Sequence, residues 1–204
     1  MRGWSVEDGL AVGLPLENVD TDQLIPARFM SAPRSAGYGG FLLHDLRQTA
    51  GPDFPLNQPQ AAGASILIAR RNFGGGSSRE AAVYALVDAG FRVVIAPSFG
   101  DIFASNSVNN GLLPARVTEA ATERLLSATP CALRVNLDTL TITGAGDPVA
   151  FELDPVWRTK LMNGWDDIDL TASYADRIAD FAARRRETAP WVWPDSAGGK
   201  AADL

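Results

Sequence analysis

The sequence predicts an α/β fold, in which a mixed sheet contains a parallel βαβ unit and is flanked by helices. Three observations lead to this fold class. Short apolar runs rich in strand formers alternate with helix-forming segments through the middle of the chain. Glycines and prolines lie between these segments, where a chain turns. Nearer the C-terminus, residues 132–136 and 139–143 alternate in polarity, which is typical of an antiparallel hairpin.

The βαβ unit is predicted from three segments that follow one another closely. Residues 64–69 form a continuous apolar run, residues 81–89 are good helix formers, and residues 91–96 are apolar again. Gly90 is placed to end the helix. Such a succession is typical of a right-handed parallel unit. Because ligands of these units gather at the carboxyl ends of the strands, we expect a site directly after residue 69.

The elements that follow continue the alternation. We predict helices over 101–108, 119–127, 154–162 and 171–186 and a strand over 112–117. An acidic loop is expected between the last two helices, through Asp166, Asp167 and Asp169. We expect one domain over residues 1–186 and a tail without regular structure over residues 187–204.

Composition excludes several classes of partner. The formal net charge of −6 argues against a surface for nucleic acid or for an anionic membrane. No apolar stretch approaches the roughly 20 residues that are needed to cross a bilayer, and the N-terminus has no basic-then-apolar signal pattern. We therefore expect a cytoplasmic protein that binds neither nucleic acid nor membrane.

The chain has one cysteine, Cys131, and one histidine, His44. An intrachain disulfide is excluded, and a zinc site or iron–sulfur cluster built from this chain alone is not expected, since each needs several thiolates or imidazoles. Cys131 lies in a predicted strand, which favours a small buried side chain. The apolar neighbours of His44 favour a partly buried structural histidine.

Residues 72–80, Asn-Phe-Gly-Gly-Gly-Ser-Ser-Arg-Glu, join the first strand of the predicted unit to its helix. Three glycines allow positive φ and expose backbone N–H groups, and the helix directs its unpaired amides to the same point. Ser77 and Glu80 have the spacing of a capping box, which predicts Ser77 as the N-cap. Arg79 adds a guanidinium that can hold a carboxylate or phosphate through two parallel hydrogen bonds. The turn therefore predicts an anion site.

Nucleotide binding and serine hydrolysis fit this turn poorly. A P-loop needs Lys and then Ser or Thr after its last glycine, where this chain has Ser77-Ser78-Arg79. The dinucleotide fingerprint needs glycine in place of Arg79. A serine nucleophile usually needs a neighbouring base, and His44 is distant in sequence. Two functions stay open: a carboxylate site whose hydroxyl removes a proton, or an anion-binding module without catalysis.

Two stretches before the βαβ unit contain further candidates. Residues 18–26 place Thr21 and Asp22 on a polar turn, a pattern that is more often structural than functional. Residues 31–40 are rich in glycine and proline, which predicts a flexible surface loop. Arg34 lies within this loop, where it is expected to be exposed and could fold over a ligand.

Several motifs, in order along the chain, resemble a known family, the small subunits of 3-isopropylmalate dehydratase, which correspond to the swivelling domain of aconitase. The similar stretches are 18–22, 25–26, 63–67, 72–74, 76–80, 90–99, 101–103, 110–114 and 162–164. An ordered series of this kind is far more specific than a glycine turn alone.

The resemblance implies an aconitase-like swivelling domain, active only with a large subunit, in a hydro-lyase of leucine biosynthesis. The pair would isomerise 2-isopropylmalate to 3-isopropylmalate by dehydration and rehydration of this hydroxy-diacid. It also implies a [4Fe–4S] cluster in the large subunit, with no cofactor and no metal bound by this chain. Ser77 would be the catalytic base. The residues implied to bind substrate are Arg79, Ser78 through its amide, Gly76, Asp22, Thr21 and Arg34.

The chain departs from the family pattern at two positions. The family usually has Cys where this chain has Gly75, and His where it has Ala81. These changes leave Ser77 and Arg79 in place, but they bear on which substrate is preferred and on how protons are transferred in the site. A related hydratase for citraconate, maleate or a methylmalate is therefore an alternative, as is a paralogue that binds anions without catalysis.

Overall fold

The computed structural model describes residues 2–193. The chain divides after Asp166 into two compact units. The first unit contains the sheet and the glycine turn, and the second contains two helices. The domain boundary predicted after residue 186 stays a prediction.

The described part of the first unit forms one seven-stranded sheet. Its strands are β1 (Val6–Leu14), β2 (Ile66–Ala69), β3 (Val93–Ala96), β4 (Leu113–Arg116), β5 (Cys131–Asn136), β6 (Thr141–Thr143) and β7 (Val149–Ala150). Their order is β4-β3-β2-β1-β5-β6-β7. The first four strands are parallel, and β5, β6 and β7 are added antiparallel. The predicted mixed sheet, with both a parallel unit and a hairpin, is confirmed.

Helices cover both faces of this sheet. They are α1 (Thr21–Leu24), α2 (His44–Ala50), α3 (Glu80–Asp88), α4 (Asp101–Asn109), α5 (Glu119–Ala128) and α6 (Pro155–Asn163). Leu67 packs in one apolar cluster with Leu86 of α3, and Ile66 packs in a second cluster with Leu125 of α5. Strands β2 and β3 are buried at every residue. Burial on both faces explains why these strands are continuous apolar runs.

Strand β1 is the main element that sequence analysis missed. It lies between β2 and β5, parallel to the first and antiparallel to the second, and so joins the two halves of the sheet. Its first half carries Glu7, Asp8 and Gly9, residues that are infrequent in strands. Partners on both sides outweigh this poor local propensity.

The second unit corrects two predictions. The expected acidic loop is a helix, α7 (Asp167–Ala172), which precedes α8 (Ala175–Thr188). Asp167 and Asp169 lie in the first turn of α7, where carboxylates interact favourably with the helix dipole. The predicted tail begins later than expected, since α8 runs to Thr188 and a short 3-10 turn covers Pro190–Val192. Residues 194–204 of that tail lie outside the described residues.

None of the helices found between residues 2 and 193 combines the length and the apolar content needed to cross a membrane.

Candidate active site

The glycine turn lies at the carboxyl ends of the parallel strands, as predicted. On one side it contacts the segment that follows β1: Gly74 N–H donates to the carbonyl of Val19 at 2.7 Å, and Thr21 N–H donates to the carbonyl of Gly75 at 3.0 Å. A β-bridge between Asp20 and Gly75 results. The start of α1 is therefore fixed against the turn.

On its other side the turn contacts the segment that follows β3. Phe73 N–H donates to the carbonyl of Ser98 at 3.0 Å, and Gly100 N–H donates to the carbonyl of Phe73 at 2.9 Å. The Phe73 ring packs edge-on against Phe103 of α4, with 5.4 Å between ring centroids. Three connections of the sheet therefore converge on one loop.

Two glycines of the turn adopt positive φ, +72° at Gly74 and +89° at Gly76. A Cβ at Gly74 would lie 2.2 Å from Cγ of Phe103, so this position excludes side chains on steric grounds as well. Gly75 has no such φ, and a Cβ there would lie 3.1 Å from Oδ1 of Asn72. The position at which the family usually has cysteine is therefore tight but not closed.

Ser77 is exposed and is not the N-cap of α3. The helix begins at Glu80, its N-cap is Arg79, and no side chain caps it. The reason lies in the backbone: Arg79 is still extended (φ −130°, ψ 105°), so the N-cap is Arg79 and Ser77 lies too far before the helix. The predicted capping box is wrong. Among residues 2–193 the Ser77 hydroxyl forms no hydrogen bond and is available to a ligand.

The backbone amides of Ser77 and Ser78 are also available. Neither donates to an acceptor within the described chain. Because no side chain caps α3, these amides and the positive end of the helix dipole together create positive potential in front of the helix. An anion bound in front of Ser77 would satisfy these donors.

Arg79 and Asp22 meet across the turn. Nη1 of Arg79 donates to Oδ1 of Asp22 in a short ion pair. The Arg79 side chain is 19% exposed and that of Asp22 is 55% exposed, so the pair lies at the surface of the site. The guanidinium uses one terminal nitrogen on Asp22. Its other donors form no hydrogen bond within residues 2–193 and are available to a second anion.

Thr21 is placed differently from the expectation that it lines the site. It is 2% exposed, and its hydroxyl donates to the carbonyl of Ser77 at 2.8 Å. The side chain is therefore inside the protein, beneath the peptide of Ser77. It orients that peptide and has no free face toward a ligand.

Arg34 is not brought together with the glycine turn. Its guanidinium binds Asp88, at the C-terminal end of α3, through two nitrogens, with Nη2 at 2.9 Å from Oδ1. It also packs over the ring of Tyr84, 4.4 Å from the centroid. The loop around it consists of short 3-10 turns, including Arg34–Ala36. The prediction that Arg34 is exposed is confirmed, since 47% of its side chain is accessible. Its ion pair with Asp88 was not predicted.

Two asparagines support the site and were missed by sequence analysis. Asn18 and Asn72 both adopt positive φ, 55° and 58°, and their side chains are hydrogen-bonded at 2.9 Å. The backbone N–H of Asn72 donates to Oγ of Ser98 at 2.8 Å. Asparagine is enriched in the left-handed region, so an Asn before each turn was the available signal.

The remaining chemically distinctive side chains lie elsewhere. His44 begins α2, 3.0 Å from Oδ1 of Asp45, and hydrogen bonds from Arg28 and then His44 lower the pKa of Asp45 to about 2. Burial raises the pKa of the Cys131 thiol in β5. Ala81, at the family's usual histidine position, is buried. Within residues 2–193, no group of three His, Cys, Asp or Glu side chains is placed to hold a metal.

Known proteins resemble this chain over most of its length. The profile of the family described as "Aconitase C-terminal domain" matches residues 1–120. The 3-isopropylmalate dehydratase small subunit of Shouchella clausii (strain KSM-K16) is 46% identical over 192 residues, which cover 91% of this chain and 98% of that protein. The crystal structure of 3-isopropylmalate dehydratase from Methanocaldococcus jannaschii superposes with a TM-score of 0.66 at 23% identity, and covers 88% of this chain and 99% of that one. The predicted fold class is confirmed.

Proposed function

The chain belongs to the family of 3-isopropylmalate dehydratase small subunits, within the aconitase superfamily, and from this premise we propose how its glycine turn takes part in the reaction. The family resemblance inferred from the sequence is confirmed. The chain is the small subunit of a hydro-lyase of leucine biosynthesis that acts with a large subunit. No comparison favours the citraconate, maleate or methylmalate alternative.

The large subunit is where we expect the [4Fe–4S] cluster. This chain supplies one cysteine, in a strand of the sheet, so its own donor set does not suit such a cluster. When bound, the cluster would supply an iron that holds the hydroxyl and one carboxylate of the substrate. We expect the pair of subunits to work in the cytoplasm.

Arg79 is proposed to hold the other carboxylate of the hydroxy-diacid. Its donors that are not used by Asp22 form charge-assisted hydrogen bonds with this carboxylate, and the free amide of Ser78 adds another hydrogen bond. The positive φ of Gly76 exposes this stretch of backbone to the ligand. Asp22 keeps the guanidinium oriented while the site is empty.

Ser77 is proposed to act as the base. Its ionised Oγ takes the proton from the carbon next to the held carboxylate, and the C–O bond to the hydroxyl breaks. The products are the alkene, the neutral Ser77 hydroxyl and a hydroxide, which takes a proton from solvent to become water. Returning a proton and water to the alkene with exchanged positions gives the isomer. The free amides, the helix dipole and the Arg79 guanidinium all stabilise an ionised hydroxyl at this point.

One observation supports this proposal most strongly: the Ser77 hydroxyl is exposed, beside Arg79 and at an uncapped helix start, and within the described chain it caps nothing. A hydroxyl used as an N-cap would already accept backbone hydrogen bonds. Thr21 holds the carbonyl of Ser77, so the backbone that carries the hydroxyl is in place before substrate arrives.

The test is reconstitution. The chain is co-expressed with its large subunit, the cluster is assembled anaerobically, and alkene formation is followed by ultraviolet absorbance with 2-isopropylmalate, citraconate and maleate. Turnover of 2-isopropylmalate is expected. Turnover of citraconate alone would overturn the leucine-pathway substrate and leave the hydro-lyase class intact. Tight calorimetric binding of a phosphate compound to the isolated chain would instead favour an anion-binding module.

A further inference from the structure

Helix α8 lacks the burial that normally stabilises a helix. In the part of the chain that the structure describes, neither α7 nor α8 contains a buried residue. Helix α8 has 14 residues, and isolated helices shorter than about 12–15 residues are marginal in water. Most helical stability in proteins comes from packing an amphipathic face. A partner that covers one side of this helix would therefore stabilise it.

One side of α8 is built for such a contact. Tyr174, Ile178 and Phe181 are spaced by four and three residues and so lie on the same side, and Phe181 is 61% exposed. Six of the nine exposed large apolar side chains of the described residues belong to the second unit. Arg177 packs on the Tyr174 ring at 5.4 Å, and Arg184 lies next to Phe181. We call these five side chains the α8 face.

The α8 face carries net positive charge on an acidic chain. It borders a shallow groove of about 480 Å³, whose lining adds one carboxylate, Asp180, to the two arginines. The chain as a whole has a net charge of −6. Aromatic and arginine side chains are the residues that contribute most to binding at protein interfaces. A partner with an apolar groove and an acidic rim would match this face.

We propose that the α8 face docks onto the large subunit, an inference that rests on the proposed function because that function requires this partner. A second copy of the chain is a poorer match: a two-fold contact between identical faces would bring arginines toward arginines. The family profile ends at residue 120. The alignment with the Shouchella clausii small subunit covers 91% of this chain, and the residues that it leaves out are fewer than those of the second unit. Part of the second unit is therefore shared with a protein that is itself a separate small subunit.

The first test measures the affinity of the full chain for the purified large subunit. Phe181→Asp is expected to weaken binding at least tenfold, as expected for a buried aromatic at an interface. Ala183→Asp is the matched control, because it adds the same residue to the opposite side of the same helix, and it should change affinity less than about twofold. Equal affinities of Phe181→Asp and the unchanged chain would overturn the proposal, and so would an equal loss in the control.

A second measurement needs no substitution. Amides of residues 175–188 should exchange hydrogen rapidly in the isolated chain and slowly once the large subunit is added. Unchanged exchange would contradict docking. Sedimentation of the isolated chain tests whether a second copy of the chain binds the α8 face instead. If the chain is a dimer that Phe181→Asp dissociates, and if this variant binds the large subunit with unchanged affinity, the proposal is overturned in favour of self-association.

These readouts are independent of turnover. If Phe181→Asp loses binding while the reconstituted pair does not convert 2-isopropylmalate, the docking surface holds and the proposed function fails. If the pair is active and both aspartate variants bind like the unchanged chain, the function holds and the docking surface fails. A chain that does not bind the large subunit at all would overturn both.

Discussion

Helix α3 carries an arginine–aspartate pair at each end, and the two pairs differ in how completely they are used. At the start, Arg79 gives one terminal nitrogen to Asp22, which is largely exposed. At the end, Arg34 gives two nitrogens to Asp88, a side chain that is 18% exposed and also accepts the N–H of Tyr38 at 2.6 Å. The Arg34 guanidinium is further covered by the Tyr84 ring.

The difference shows that an arginine cannot be assigned to a ligand by residue type alone. Both arginines are implied by the family resemblance to bind a substrate carboxylate. Arg34 donates through two nitrogens to Asp88, at the end of α3 away from the glycine turn, whereas Arg79 donates through one nitrogen to Asp22 and lies beside free backbone amides. We infer that Arg79 serves the substrate and that Arg34 fastens the 31–40 loop to α3.

The largest expected effect concerns the Ser77 hydroxyl, just before the start of α3. Replacing Ser77 with Ala should lower kcat by about 10²–10⁴, since a positioned acid–base group contributes on that order. Affinity for the large subunit should not change. The control is Ser78→Ala, because Ser78 is proposed to act through its amide, which the substitution keeps. Steady-state kinetics on the reconstituted pair decide the matter, and a wild-type kcat in Ser77→Ala would remove Ser77 from the mechanism.

The next effect separates the two arginines directly. We expect Arg79→Lys to lower kcat/KM about ten- to hundredfold, mainly through KM, because a charge-assisted hydrogen bond contributes about 1.5–3 kcal/mol and lysine cannot reproduce the bidentate geometry. Arg34→Lys should change kcat/KM less than about threefold, since its guanidinium serves Asp88. An equal rise of KM in both variants would return Arg34 to the substrate site.

Sequence reasoning succeeded where local pattern and burial agree. The run Ile66–Ala69, the glycines after it and the apolar run Val93–Ala96 defined the parallel unit, because a strand buried on both faces has an unmistakable composition. The predicted helix over 119–127 is also found, as α5, and the residue before it, Thr118, caps it by accepting from the amide of Ala121. In each case the signal lies within a few residues of the structure that it specifies.

The failures involve information that no short window contains. The capping box at Ser77 was wrong because Ser-x-x-Glu spacing does not reveal that Arg79 is extended and that the helix begins only at Glu80. Asp88 lies 54 residues beyond Arg34 in sequence, so the ion pair that fixes the loop was not visible. Strand β1 was hidden by its polar first half and is specified by its two neighbours in the sheet.

A smaller effect concerns Thr21, whose side chain lies beneath the peptide of Ser77. We expect Thr21→Val to lower kcat about tenfold with little change in KM, because loss of the hydroxyl leaves the Ser77 carbonyl without its partner, at a cost of about 1–3 kcal/mol. Thr21→Ser keeps the donor and should restore most of the activity. If Thr21 touched substrate instead, KM would rise and kcat would stay near its original value.

The smallest effect concerns the contribution to stability of the Arg34–Asp88 ion pair, at the C-terminal end of α3. Arg34→Lys should lower the free energy of unfolding by about 1 kcal/mol or less, the usual range for a partly exposed ion pair. Urea denaturation of the isolated chain measures this, with Arg79→Lys as the comparison. A larger loss in Arg79→Lys than in Arg34→Lys would contradict the assignment of Arg34 as the structural member of the two.

The loop in front of α3 also bears on the order in which the protein assembles. Its side-chain contacts join residues far apart along the chain, 57 for Arg79 with Asp22, 56 for Thr21 with Ser77 and 26 for Asn72 with Ser98. Contacts of such range form only after the intervening segments have closed, which makes them late and slow events. A newly made or partly unfolded subunit therefore lacks a formed anion site, and only fully folded molecules can take part in the reaction.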